Sequence, residues 1–167
     1  CMRRIPAKDT NSNESTRIDH VFSRTNHPAL QLDYNNMVIC CPGAITNDFH
    51  CDKSKGEEDV TIPLFEDFFV QTIEYETSDG KIKSTNPTWN NEIDSKTLLN
   101  LNNKQLKRNR KEIFVAATLA LKKTNPWKKS DIRRLITEWD NTDNEGNYKP
   151  YNGIVVWYLK KNLIQRP

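Results

Sequence analysis

Between Arg17 and Gly56, three short pieces follow one another closely enough to dictate a local fold. The first, Arg17-Ile18-Asp19-His20-Val21, alternates and is rich in β-prone residues, so a strand is expected from Arg17 to Phe22. The second, Met37-Val38-Ile39-Cys40-Cys41, follows Tyr34-Asn35-Asn36 and reads as a second strand over 36–41, ended by Pro42-Gly43. Residues 23–33 hold His27-Pro28 and close this hairpin as a surface loop. The third, His50-Cys51-Asp52-Lys53-Ser54-Lys55-Gly56, starts a helix over 52–58, with Asp52 in its first turn and Gly56 keeping it short. A hairpin joined to a short helix is the expectation, and the rest of the chain must hold or place it.

The remainder has little apolar material to spare. Only 35% of the 167 residues are hydrophobic, 28% are charged and the mean hydropathy is −0.82. That suits one ordinary domain, or a small domain with a helical appendage, whose thin core is completed by a metal or a partner. The net charge of +3 is too small to argue for nucleic-acid binding without a favourable distribution. No apolar run reaches the length of a membrane span and no signal-like segment is visible, so a cytoplasmic location is expected.

The four cysteines allow either two disulfides or a metal site. Cys41 and Cys51 flank a turn, which favours metal in a reducing compartment. With Cys1, at the head of Cys1-Met2-Arg3-Arg4-Ile5, they form a candidate structural zinc set that lacks one ligand. The fourth is expected upstream of residue 1, with Cys40 or His50 as substitutes. Cys40 points away from Cys41 on a strand and is read as a buried thiol.

Residues 6–16 are polar and read as a connector. Residues 72–75 and 81–83, around Thr77-Ser78-Asp79-Gly80, make a second hairpin with an Asp-Gly turn. Pro87 and its neighbouring asparagines mark a linker. From Leu98 the pattern turns helical, with Leu106, Ile113, Val115, Ala116, Leu119 and Ala120 near helical spacing. Pro126-Trp127 stops that helix, and Ser130-Asp131 caps the next, which carries Ile132, Leu135, Ile136 and Trp139. A last buried helix runs over 152–163. The expected segments are 1–60, 61–97 and 98–167, the last a helical region suited to docking a partner.

Hydrolysis of a phosphodiester needs a base for water and a cation on the non-bridging and leaving oxygens. His20, beside Asp19, is the candidate base. Asp19 and Asp52 are the candidate ligands of a hard divalent cation, Mg²⁺ or Mn²⁺, which keeps several waters and needs few protein oxygens. Asn36 is expected to bridge the loop to the imidazole and fix its tautomer. Lys55 and Arg24 are candidate contacts to nucleic acid.

Asp19-His20, Asn36 before an apolar strand, and Cys51-Asp52-Lys53-Ser54-Lys55 resemble the HNH (ββα-metal) endonucleases, with Asp52 where that motif often carries His or Asn. Ile18-Asp19-His20, His27-Pro28-Ala29-Leu30, Leu32-Asp33-Tyr34-Asn35-Asn36, His50 to Gly56, the Asp79-Gly80 turn, Leu99-Asn100-Leu101-Asn102, Leu106 and Arg110 are similar to the Septu PtuB family and its retron-associated relatives. The resemblance implies an α+β fold, an HNH core with a structural zinc knuckle followed by a hairpin and a helical C-terminal region. It implies a toxic effector of bacterial anti-phage defence, with a PtuA-type ATPase partner and, in retrons, a reverse transcriptase with its RNA–DNA product. The choice between DNA and RNA, tRNA included, is not readable from these residues.

Blander readings compete. The cysteines can be buried thiols without metal, and the basic residues from Lys104 to Arg134 can be a solvated helix face, a backbone-tracking surface or a docking surface. A zinc-braced binding module without cleavage and a stand-alone restriction-type nuclease are the alternative functions.

Overall fold

A computed structural model describes residues 1–5, 16–45, 48–122 and 127–164 as a mixed α+β fold. The polar connector over 6–15 and Pro126 lie outside the described residues. The chain divides into two compact units that interleave along the sequence. One comprises residues 5–73 and 82–105; the other comprises residues 1–4, 74–81 and 106–167. No helix among the described residues is long and apolar enough to cross a membrane.

The first unit carries the expected hairpin. Strands β1 (Arg17–His20) and β2 (Met37–Cys40) pair antiparallel, with Arg17 opposite Cys40, Asp19 opposite Val38 and His20 opposite Met37. Asn36 falls outside β2, in a 3-10 turn over Tyr34–Asn36. That turn is capped by the Asp33 carboxylate, which accepts from the Asn35 amide. A short ribbon of β3 (Ala44–Ile45) and β4 (Asp48–Phe49) leads into α1 (Asp52–Lys55). Helix α1 is shorter than expected because Gly56 leaves the helical region at φ +55°.

Two elements of this unit differ from the sequence reading. Helix α2 (Asp67–Gln71) occupies a stretch for which no element was expected. Pro87 opens a helix, α3 (Pro87–Asp94), and marks no linker. The Asn86 side chain accepts from the Thr88 and Trp89 amides, and Pro87 sits where a helix needs no N–H. Glu92 of α3 is 5% exposed, and its carboxylate accepts from the Thr61 amide at 2.9 Å, the Thr61 hydroxyl at 2.7 Å and the Ile62 amide at 3.2 Å. Charge-assisted bonds of this kind contribute about 1.5–3 kcal/mol each, and they hold residues 60–62 against α3, with Val60, Ile62 and Ile93 in the core.

Strands β5 (Ile73–Glu76) and β6 (Lys81–Ser84) form the second hairpin, with Gly80 at φ +82° in the expected turn. The tip of that hairpin belongs to the other unit. There a Cβ on Gly80 would stand 2.1 Å from the Lys107 carbonyl, so close approach as well as the turn requires glycine.

This second unit is built on α4 (Lys104–Lys122), α5 (Lys129–Asp140) and α6 (Asn152–Ile164), with α5 packed on α6. The buried face of α4 is Leu106, Arg110, Ala117, Thr118 and Leu121, while Val115 and Leu119 face solvent. The expected face was therefore rotated, because Arg110, a charge, is 1% exposed and donates from Nε to the Gly80 carbonyl at 2.8 Å. Ile132 and Leu135 are buried as expected. The N-cap of α5 is Lys128, without a side-chain cap bond, and neither Ser130 nor Asp131 takes that place. Helix α6 buries Ile154, Val155, Val156 and Leu159, and Tyr158 meets Phe114 edge-on at 4.8 Å.

Candidate metal centre and acid–histidine site

The clearest constellation is sulfur-lined. Cys41, His50 and Cys51 are residues of the type and grouping that could hold a metal ion. All three lie in the unit of residues 5–73 and 82–105, and their ligand atoms lie within 4.8 Å of one another. The His50 Nδ1 lies 3.6 Å from the Cys41 sulfur and 3.4 Å from the Cys51 sulfur. Cys41 is 1% exposed and His50 fully buried, and none of the cysteines is in a disulfide.

Local geometry explains how two sequence-distant thiols converge. The His50 amide donates to the Gly43 carbonyl at 2.7 Å, closing the turn after Cys41. A Cβ on Gly43, at φ +69°, would lie 2.5 Å from the His50 carbonyl, so only glycine fits. Cys51 itself adopts φ +53°, a strained conformation for a residue with a Cβ. Its amide donates to the Leu99 carbonyl at 2.8 Å, and Asn100 donates from its side chain to the Phe49 carbonyl at 2.7 Å. Leu99-Asn100 thus clamps the knuckle from outside. Asn102 then holds β6 through both the amide and the carbonyl of Ile82.

A hydrogen bond between the two thiols lowers Cys41 and raises Cys51, so one sulfur ionises far more readily than its neighbour. Burial alone would lower the His50 imidazole, but hydrogen bonds with Cys41 and Cys51 outweigh it and raise the group to about 9. Soft thiolates and one imidazole, buried and facing inward, are the donor chemistry that suits Zn²⁺. The fourth ligand, expected upstream with His50 or Cys40 as substitutes, has His50 in place among the sulfurs. Cys40 is half-buried, and its thiol is pushed up to about 12 by burial, with the charges of Asp52 and Asp19 adding to it.

The second constellation is oxygen-lined. The β1–β2 register puts Arg17, Asp19, Val38 and Cys40 on one face of the hairpin. Two of these reach α1: Arg17 lies 3.4 Å from the Asp52 carboxylate, and Asp19 lies 3.4 Å from the Lys55 ammonium. Burial raises the Asp19 carboxyl, Lys55 opposes this and the negative charge of Asp52 adds to it. Two carboxylates therefore act on one another here, each with a protein cation beside it.

His20 ends β1. Its Nε2 lies 3.0 Å from the Gln31 carbonyl, an acceptor only, so Nε2 donates there. Asn36, expected to orient this imidazole, is spent elsewhere. It accepts from the Phe22 amide at 2.7 Å and donates to the Phe22 and Leu30 carbonyls at 2.9 and 3.2 Å. The asparagine fixes the loop, and the loop in turn presents Gln31 to His20.

Lys55 is not offered to a phosphate. Its side chain is 2% exposed and donates to the Gly56 and Glu58 carbonyls besides pairing with Asp19. Arg24 is exposed. Sequence reasoning passed over Gln31 as the histidine's partner, since a backbone carbonyl leaves no residue signature. Compared with protein-family models and with curated proteins, the chain matches none.

Proposed function

We propose that the chain is a divalent-metal-dependent HNH-type endonuclease whose hydrolytic site is braced by structural zinc. The observation that carries this reading is the approach of Asp19 on β1 to α1, which opens on Asp52, with His20 next to Asp19 in the strand and its Nε2 held at the Gln31 carbonyl. Nδ1 is then the base that takes the proton of the attacking water. Asp19 and Asp52 supply the oxygens for Mg²⁺ or Mn²⁺. Such a cation, when bound, offsets charge on the non-bridging and leaving oxygens of the phosphate. Arg17 and Lys55 hold the two carboxylates in place, and Arg24 lies on the exposed side, available to the nucleic-acid backbone.

In this reading Cys41, His50 and Cys51 hold the structural zinc, with Cys1 as the further thiolate expected from the sequence. Cys51 immediately precedes Asp52, so the brace sets the start of α1 and with it one of the two acids. The resemblance to PtuB adds the setting: a cytoplasmic effector of anti-phage defence, working with a PtuA-type ATPase and, in retrons, with a reverse transcriptase and its RNA–DNA product.

The test is cleavage of DNA and RNA by purified protein with Mg²⁺ or Mn²⁺, alone and with co-purified chromosomal neighbours. His20→Ala should lower the rate by about 10²–10⁴, the usual worth of a general base, while fold and zinc content stay unchanged. Full activity in that variant would remove the assignment.

A second reading is a zinc-braced binding module without cleavage. It is favoured by the same ion pairs, because Lys55 and Arg17 already neutralise Asp19 and Asp52. It predicts nucleic-acid or protein binding that is indifferent to His20→Ala and to divalent ions.

A further inference from the structure

Behind the hairpin, the unit of residues 5–73 and 82–105 carries an apolar groove of about 470 Å³. Phe22, Leu30, Ile62, Pro63, Leu64 and Phe65 form much of its wall. Of these Ile62 is buried, whereas Leu64 and Phe65 stand 40% and 62% exposed. Large side chains left in water around a concavity mark a recognition surface more often than a plain exterior. With its walls this exposed, the groove suits inserted side chains better than an enclosed small molecule.

The charge around it has one sign. Asp33 and Glu66 line the groove, and among the described residues no Lys, Arg or His does. Residues 57–67 hold Glu57, Glu58, Asp59, Glu66 and Asp67 and no basic residue. Glu57 and Asp59 are tied to Ser23 and His27. The Glu66 side chain, by contrast, makes no cap bond to α2 even though it holds the N-cap position.

From this pairing of apolar wall and acidic rim we infer that the groove docks a segment of a partner protein carrying bulky apolar residues flanked by Lys or Arg. Phosphate backbones are repelled by such a rim, so the groove is not a continuation of a nucleic-acid surface. A symmetric pairing of two copies through it would set Asp33 and Glu66 against their own counterparts, which like charges oppose. A basic, apolar segment satisfies both features at once: side chains fill the groove and cations meet the rim.

The test uses the full chain and a random peptide display library, counter-selected on the Phe65→Asp and Glu66→Lys variants. Enriched sequences should combine apolar anchors with flanking Lys or Arg. A synthetic peptide of the leading sequence should bind the unsubstituted chain at least ~10-fold tighter than either variant by fluorescence anisotropy. Both positions are exposed, and Glu66→Lys removes no cap bond to α2, so it keeps the comparison if Phe65→Asp misfolds. Three results overturn the inference. One is no enrichment over the counter-selected pool, or enrichment of acidic sequences. Another is self-association in sedimentation that the two variants lose, which makes a second copy the occupant. The last is weaker oligonucleotide binding in Phe65→Asp with stronger binding in Glu66→Lys, which makes the groove a nucleic-acid contact.

Discussion

The ammonium of Lys55 lies 3.4 Å from the carboxylate of Asp19, and its side chain is 2% exposed. A lysine buried this deeply is held by its partners: Asp19 and the carbonyls of Gly56 and Glu58. Removing one member of a buried pair leaves the other charge uncompensated. Lys55→Met should therefore lower stability by about 3 kcal/mol, measured as a shift of the urea midpoint at unchanged slope. A phosphate-contacting lysine would behave oppositely, with stability kept and oligonucleotide affinity reduced.

Asn36 performs three hydrogen bonds with one side chain, to the amide and carbonyl of Phe22 and to the carbonyl of Leu30. Asn36→Ala leaves these groups without that partner in a half-buried loop and should cost about 2–3 kcal/mol. Hydrogen exchange gives the sharper readout: the Phe22 amide should lose protection before the β1–β2 amides do. Because the Leu30 carbonyl neighbours Gln31, His20 should also lose its fixed tautomer, visible in the ¹⁵N shifts of its imidazole. Equal protection of Phe22 in the two proteins would show that Asn36 is not what fixes the loop.

How far the residues alone disclosed this arrangement depends on the kind of signal each carried. The β1–β2 hairpin and the Asp79-Gly80 turn were legible because alternation and turn chemistry are local. The segment at Pro87 was not. Asn-Pro is equally a loop signal and a helix start, and only the fold decides that Asn86 caps α3. The buried face of α4 was misjudged because a buried Arg110 does not announce itself in an apolar pattern. At the site, Asp19, His20 and Asp52 were visible as residue types. Their actual partners, Lys55, Arg17 and the Gln31 carbonyl, depend on register and loop path, which no spacing in the chain encodes.

Asp59 gives a pH test of the same loop. Its carboxylate accepts from the Ser23 amide at 2.7 Å and meets His27 Nε2 at 2.7 Å, and these contacts hold it below the usual value of 3.8. A carboxyl depressed in the folded state stabilises above its unfolded pKa, and that contribution disappears as the pH falls through the folded value. The stability difference between the unsubstituted chain and Asp59→Asn should be flat above about pH 5 and shrink steadily below about pH 4. Urea titrations across that range check it. A difference that grows on acidification would reverse the sign and remove the contact as its source.

The sulfur-lined cluster makes the most direct chemical prediction. If Cys41, His50 and Cys51 face a metal ion, protein purified without chelator should hold about one zinc per chain, and removal should lower the unfolding temperature. Cys41→Ser and Cys51→Ser should lose the metal, because each deletes a buried thiolate whose neighbours stand within 4.8 Å. Cys40→Ser should keep it, since the Cys40 sulfur is not among the grouped ligand atoms. Cys1→Ser separates a four-ligand centre from a three-ligand one: loss or weakening of zinc makes Cys1 a ligand, and unchanged affinity excludes it. Cobalt exchange adds a signature independent of stability. Tetrahedral thiolate coordination gives strong visible absorption together with a sulfur-to-cobalt charge-transfer band. Both should be present in the unsubstituted chain and Cys40→Ser, and absent in Cys41→Ser.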